Sequence, residues 1–151
     1  MLILLLITMA SPVSPKTHSP QKVQISADRV EIIHRSGQVE FTGNVVVIRG
    51  SLKLSCTQLT GRYKDKKLTQ LTANGDVKVE KDNIGATAQQ AVYDQQKQTL
   101  ILTGKPTMSR HGSRLVGRRI LIWLNSERIV VEKPKGLFDL KQLEQMQQRQ
   151  K

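Results

Sequence analysis

One internal repeat limits what this chain can fold into more than any other feature, since successive copies of a short unit must stack on one another to bury an apolar face. A small residue, two polar residues and an apolar residue recur as Ala27-Asp28-Arg29-Val30, Cys56-Thr57-Gln58-Leu59, Ala88-Gln89-Gln90-Ala91 and Gly117-Arg118-Arg119-Ile120, at intervals of 29, 32 and 29 residues. A second marker follows in the first three units: Phe41-Thr42-Gly43-Asn44-Val45, Ala73-Asn74-Gly75-Asp76-Val77 and Leu102-Thr103-Gly104-Lys105-Pro106. Its glycine lies 16, 19 and 16 residues after the first residue of the first marker. Two markers that keep step define a unit of structure. No glycine step is visible after Gly117.

Within each unit the apolar residues alternate with period two, as a strand with one buried face requires, and do not follow helical spacing. Val39, Phe41, Val45 and Val47 share a face, as do Leu71, Ala73, Val77 and Val79, and then Leu100, Leu102 and Met108. Gly43, Gly75 and Gly104 take matching inward positions, where they are expected to curve the sheet. The small-polar-polar-apolar step breaks the alternation by one residue, which predicts a bulge or corner. Polar turn clusters such as Lys64-Asp65-Lys66-Lys67 and Asp94-Gln95-Gln96-Lys97 separate about eight strands, the spacing of an all-β sandwich or solenoid-like roll. After Pro134 the pattern predicts a short amphipathic helix or a frayed end.

The 151 residues suit a single domain. Met1 to Ala10 reads MLILLLITMA, too short for a span of about 20 residues but suited to the apolar stretch of an export signal. Three segments follow: 1–20 as signal and extended N-terminal segment, 21–133 as the β domain, and 134–151 as helix or tail. A start further upstream would instead make the apolar run a membrane anchor. Cys56, the single cysteine, reads as a small core hydrophobe. The net charge of +12 draws an anionic partner, whether nucleic acid, acidic lipid or phosphorylated glycolipid.

The Ala27-Asp28-Arg29-Val30-Glu31 opening, the Phe41-Thr42-Gly43-Asn44-Val45-Val46-Val47 segment and Gly75-Asp76-Val77 resemble the OstA-like (LptA) family of periplasmic lipopolysaccharide-transport proteins, over about Ile25 to Val131. The resemblance implies an open β-jellyroll of two facing antiparallel sheets, located in the periplasm. It further implies a groove that shields lipid A acyl chains between inner and outer membrane, and stacking into a bridge. Partners would be lipopolysaccharide, β-jellyroll domains of inner- and outer-membrane transport components, and further copies joined head to tail. The inward candidates for the groove are Ile25, Ala27, Val30, Ile32, Val39, Phe41, Val45, Val47, Leu54, Leu71, Val77, Leu100, Leu102 and Ile122. Phosphates need Lys or Arg at a hydrated rim, and the densest arginine cluster is Arg110, Arg114, Arg118 and Arg119.

An enzyme would need a nucleophile, base or metal constellation, and His18, His34 and His111 have no partner at a recognisable spacing. No cofactor or metal is expected. A nucleic-acid binder would add clustered aromatic platforms, whereas Phe41, Tyr63, Tyr93, Trp123 and Phe138 are scattered, so no nucleic acid is expected either. That class stays as an alternative, together with the membrane-anchored partner of the same transport chain.

Overall fold

Alternation by two commits these segments to strands, and the computed structural model, which describes residues 22–126, 128–137 and 141, contains twelve of them. They are β1 (Gln24–Ser26), β2 (Arg29–Ile33), β3 (Gln38–Arg49), β4 (Leu52–Lys64), β5 (Lys67–Lys81), β6 (Ile84–Asp94), β7 (Thr99–Thr103), β8 (Thr107–Arg110), β9 (Ser113–Val116), β10 (Arg119–Trp123), β11 (Ile129–Glu132) and β12 (Lys135–Leu137). The expected signal segment and most of the C-terminal segment lie outside the described residues.

All pairings are antiparallel, and the register divides the sheet into two halves. One half runs β2, the start of β3, the end of β4, the start of β5, the end of β6, β7, β10 and β11. The other runs β1, the end of β3, the start of β4, the end of β5, the start of β6, β8, β9 and β12. Buried residues of both halves, among them Val45, Leu54 and Val79 from one and Leu59, Leu100 and Ile120 from the other, form one core, so the halves face each other as an open antiparallel β-jellyroll. The expected strand number therefore describes each half, and the long strands β3 to β6 belong to both.

The line where the halves join is built by the two sequence markers together. Register shifts fall between Thr42 and Val45, Ser55 and Gln58, and Asn74 and Val77. Gly75 (φ +78°) and Asp76 (φ +45°) are both left-handed, and Gly43-Asn44 and Gly104-Lys105 repeat the pattern. Asp28 N donates to Gly43 O at 2.9 Å, Gln89 N to Gly104 O at 3.1 Å and Arg118 N to Glu132 O at 2.9 Å. In the second unit Thr57 Oγ1 donates to Gly75 O at 3.3 Å. The first marker of each unit thus packs on the second.

Three expectations change here. The glycines do not point into the core: the space where their Cβ would stand is filled by Asp28, Thr57 and Gln89, which are exposed. The fourth unit has its corner after all, made by Glu132 and left-handed Lys133 without a glycine. The sheet also runs past Pro134, since β12 pairs with β9 through Lys135 opposite Val116 and Leu137 opposite Arg114. Cys56 is buried as expected, and burial raises its thiol to about 11, so it stays protonated at neutral pH.

A methyl group at position 75 would stand 2.9 Å from Thr57 Cβ on a left-handed backbone. Gly75→Ala should therefore lower stability by about 1–3 kcal/mol, measured as a lower urea midpoint with an unchanged slope.

Candidate functional site

Inward-facing apolar residues do not fill the space between the halves. A cavity of about 180 Å³ is lined by Val47, Leu52 and Leu54 on one half and by Leu59, Leu68, Leu71, Ala73, Ala91, Tyr93, Leu100 and Leu124 on the other, with Val23 at its end. The halves are joined along the corner line and separate along the opposite line, where the hairpin turns of both halves end.

A polar clasp crosses that open line. Arg49, at the end of β3, reaches from one half to the other, where its Nη1 donates to the Tyr93 hydroxyl at 2.6 Å and its Nη2 to Gln98 Oε1 at 3.1 Å. The Tyr93 hydroxyl donates onward to Gln95 Oε1 at 2.8 Å, and the guanidinium carbon lies 5.7 Å from the Tyr93 ring centre. The result is an apolar interior under a cationic, hydrogen-bonded lip. A second pocket of about 220 Å³ lies further along the same mouth, where Lys81, Ile84 and Arg110 face Ile122, Trp123 and Ile129.

Of the expected groove residues, Val47, Leu54, Leu71 and Leu100 line the main cavity and Ile122 the second. Val45, Val77 and Leu102 are buried in the core itself. Ile25, Ala27, Val39 and Phe41 are half-buried. Val30 and Ile32 are not enclosed, at 53% and 59% exposure. They stand opposite Phe41 and Val39 and so share the inward face, but β2 is an edge strand and the three-residue β1 on the other half does not cover it.

The expected arginine rim is dispersed. Arg110 faces inward at the mouth, half-buried, with its buried Nε making no hydrogen bond. Arg114 is exposed on the outer face of β9, and Arg118 is exposed at the fourth corner. Arg119 faces outward and binds Glu132 at 2.5 Å, which holds the Glu132 carboxyl below its usual range. Closeness in sequence put these four together, and the hairpin between β8 and β9 and the corner between β9 and β10 take them apart.

Sequence reasoning passed over Arg49, Lys81, Tyr93 and Leu124, although Arg49 and Tyr93 continue the alternation of Val45-Val47 and of Ala91. Polar or aromatic residues at the end of an apolar stripe are the signal that would have found them. Among the described residues, no helix is long and apolar enough to cross a membrane, and no group of three or more His, Cys, Asp or Glu could hold a metal ion.

The corner repeat and the two-halved sheet have a known counterpart. Residues 24–128 match the family described as LptA/(LptD N-terminal domain) LPS transport protein. The chain belongs to that family. The LptA/LptD N-terminal fold is also seen in the crystal structure of LptH from Pseudomonas aeruginosa, described as the LptA-homologous periplasmic component of a lipopolysaccharide-transport device. The two superpose with a TM-score of 0.71 at 18% identity, over 79% of this chain and 96% of that one. An uncharacterised protein of Rhizobium meliloti (strain 1021) is 30% identical over 104 residues, covering 63% of this chain and 56% of the relative, so the match spans little more than half of that protein.

Val45 has no exposed surface, and Thr42, next to the same corner, faces outward. Val45→Asp buries an unpaired charge and should cost about 3–5 kcal/mol or prevent folding, whereas Thr42→Asp should leave the thermal midpoint within about 2 °C of wild type. Differential scanning fluorimetry reads both.

Proposed function

We propose that this protein is a periplasmic carrier of lipopolysaccharide, which holds the acyl chains of lipid A in the cleft between its half-sheets during passage from inner to outer membrane. The observation that carries the reading is the cleft: aliphatic on both walls, joined along one line, and open along the other behind a cationic lip. Acyl chains are recognised by burial of apolar surface without directional bonds, so a carrier needs such walls and no reactive constellation. A binding protein that lacks catalysis and a resident cofactor follows from this. Family membership supports the same reading.

The aromatic residues speak against nucleic acid as the anionic partner. Arg49 lies on Tyr93, and Arg128 lies 4.4 Å from the ring centre of Trp123, so neither ring is an open stacking platform.

Assembly into a bridge rests on the sheet edges. Among the described residues β1 and β2 each pair only with β3, β11 only with β10 and β12 only with β9, which leaves unpaired backbone groups among them at both ends of both halves. Apolar side chains accompany them: Val30 and Ile32 at one end, and Leu137, 81% exposed, at the other. Exposed edges of this kind pair with other strands. First and last edges are different surfaces, so copies, or the β-jellyroll domains of membrane partners, join head to tail in an open series.

Protein isolated from a Gram-negative periplasm should carry lipopolysaccharide detectable by mass spectrometry, and protein that stays lipid-free after incubation with lipid A vesicles sinks the carrier reading. For the bridge, Glu31→Cys and Val130→Cys, both on the outward face of their edge strands, in a Cys56→Ser background should give cross-linked ladders that lengthen with concentration. A species that remains a monomer at high concentration, and takes up no partner jellyroll domain, removes the bridge while leaving the carrier intact.

A further inference from the structure

The mouth of the cleft carries a periodicity of its own. Arg49, Lys81 and Arg110 each lie six residues after the corner glycines Gly43, Gly75 and Gly104, so they recur at the repeat intervals of 32 and 29 residues. Each is the last residue of its strand in one half-sheet, at the end away from the corner line. Each follows the inward alternation: Arg49 after Val45 and Val47, Lys81 after Val77 and Val79, and Arg110 after Met108. Their order along the mouth is set by register. Leu52 is opposite both Arg49 and Lys81, and Ile84 is opposite both Lys81 and Arg110. Cations therefore alternate with aliphatic residues, and successive cations stand two strand spacings apart, about 10 Å.

We propose that Arg49, Lys81 and Arg110 form a cationic rail along the open mouth of the cleft, which binds the phosphate groups of an acylated cargo at three equivalent stations while its chains occupy the apolar interior. The proposal rests on the carrier reading above and assigns its head-group site.

The present partners of the three residues leave them available for this. Among the described residues Arg49 bonds to neutral groups, a phenol and an amide, and a phosphate oxygen in their place supplies the counter-charge and the bidentate geometry that a guanidinium favours. Lys81, 24% exposed, is paired at 3.2 Å with Asp82, whose side chain is 58% exposed and open to solvent screening, so a phosphate can compete for the ammonium. Arg110 has a buried Nε without a partner. Arg119, by contrast, is held by Glu132 on the outer face and is absent from the rail.

Exchange at Arg49 would also release the clasp to Tyr93 and Gln98. That matters for size, because about 180 Å³ is below the roughly 300–1,000 Å³ of ordinary ligand pockets, and a lipid with several chains needs more. Phosphate capture at the lip and widening of the interior are then one event. Equivalent stations one repeat apart let a cargo with two phosphates engage the next cation before it leaves the last.

The test measures binding of bisphosphorylated lipid A and of its dephosphorylated form to the full chain, with inorganic phosphate as a third ligand. Wild type should prefer the phosphorylated lipid. Arg49→Gln, Lys81→Gln and Arg110→Gln should each cut the preference for the phosphorylated over the dephosphorylated lipid by about tenfold, and the triple variant should bind both lipids alike. Arg49→Lys and Arg110→Lys, which keep the charge, should retain the preference, and these together with the single Gln variants decide the matter if the triple variant does not fold. Undiminished preference in the Gln variants overturns the rail. So does an equal loss for both lipids, which would mean that the residues shape the groove without reading the head group. Thermal stabilisation by inorganic phosphate alone, absent in the Gln variants, would overturn the assignment to a lipid-borne phosphate. Wild type that binds neither lipid defeats the carrier reading itself and the rail with it.

Discussion

A strand of thirteen or fifteen residues with one apolar face, such as β4 or β5, has nothing in its own plane to bury that face against. The chain meets the problem by bending every long strand at the same height, so that the two ends of one strand become opposite walls. In β3, in β5 and after β7 the bend is made by two consecutive left-handed residues held close to the preceding strand, and the glycine at each, lacking a Cβ, allows both at once. The core, the cleft and the open line all follow from that contact. It also explains why the two sequence markers keep step: each pair is one contact read twice along the chain.

A fold closed on one side only cannot be packed to the same density throughout. Near the bend the core is tight, with Val45, Ala91, Leu102 and Ile120 fully covered. Toward the open line Leu71, Tyr93 and Leu100 line the walls and a cavity remains. Native interiors seldom leave such space unfilled, since each absent contact costs dispersion energy. The gradient from filled core to lined cleft runs along each strand, so neighbouring inward residues differ in role, as Val45 and Val47 do.

The all-β architecture, the repeat and most inward assignments were legible from sequence because parity along a strand is local: Val47, Leu54 and Leu100 needed no knowledge of their neighbours. What required the third dimension was anything decided between strands. Val30 and Ile32 have the right parity, yet among the described residues no strand covers them at the edge. Arg110, Arg114, Arg118 and Arg119 are close in the chain but are distributed over mouth, outer face and corner. Arg49, Lys81 and Arg110 are the reverse case, far apart in sequence and brought into one line by register, although their common offset from the corner glycines was open to reading.

The fourth corner shows which part of the motif is physically required. Its left-handed residue is Lys133, the residue before it is Glu132, and neither is glycine. Instead the missing Cβ has moved across the contact to Gly117, where an added carbon would stand 2.6 Å from Val131 Cγ1 and 2.9 Å from Glu132 O. The constraint is therefore on the close approach of the two segments, and a glycine on either side satisfies it. The departure from the glycine pattern at Glu132 also supplies a carboxylate that pairs with Arg119 on the outer face, and Pro134 after Lys133 repeats Pro106 after Lys105. A unit that has lost its sequence signature can thus keep its place in the sheet, because the corner depends on close approach and handedness and not on one residue at one position.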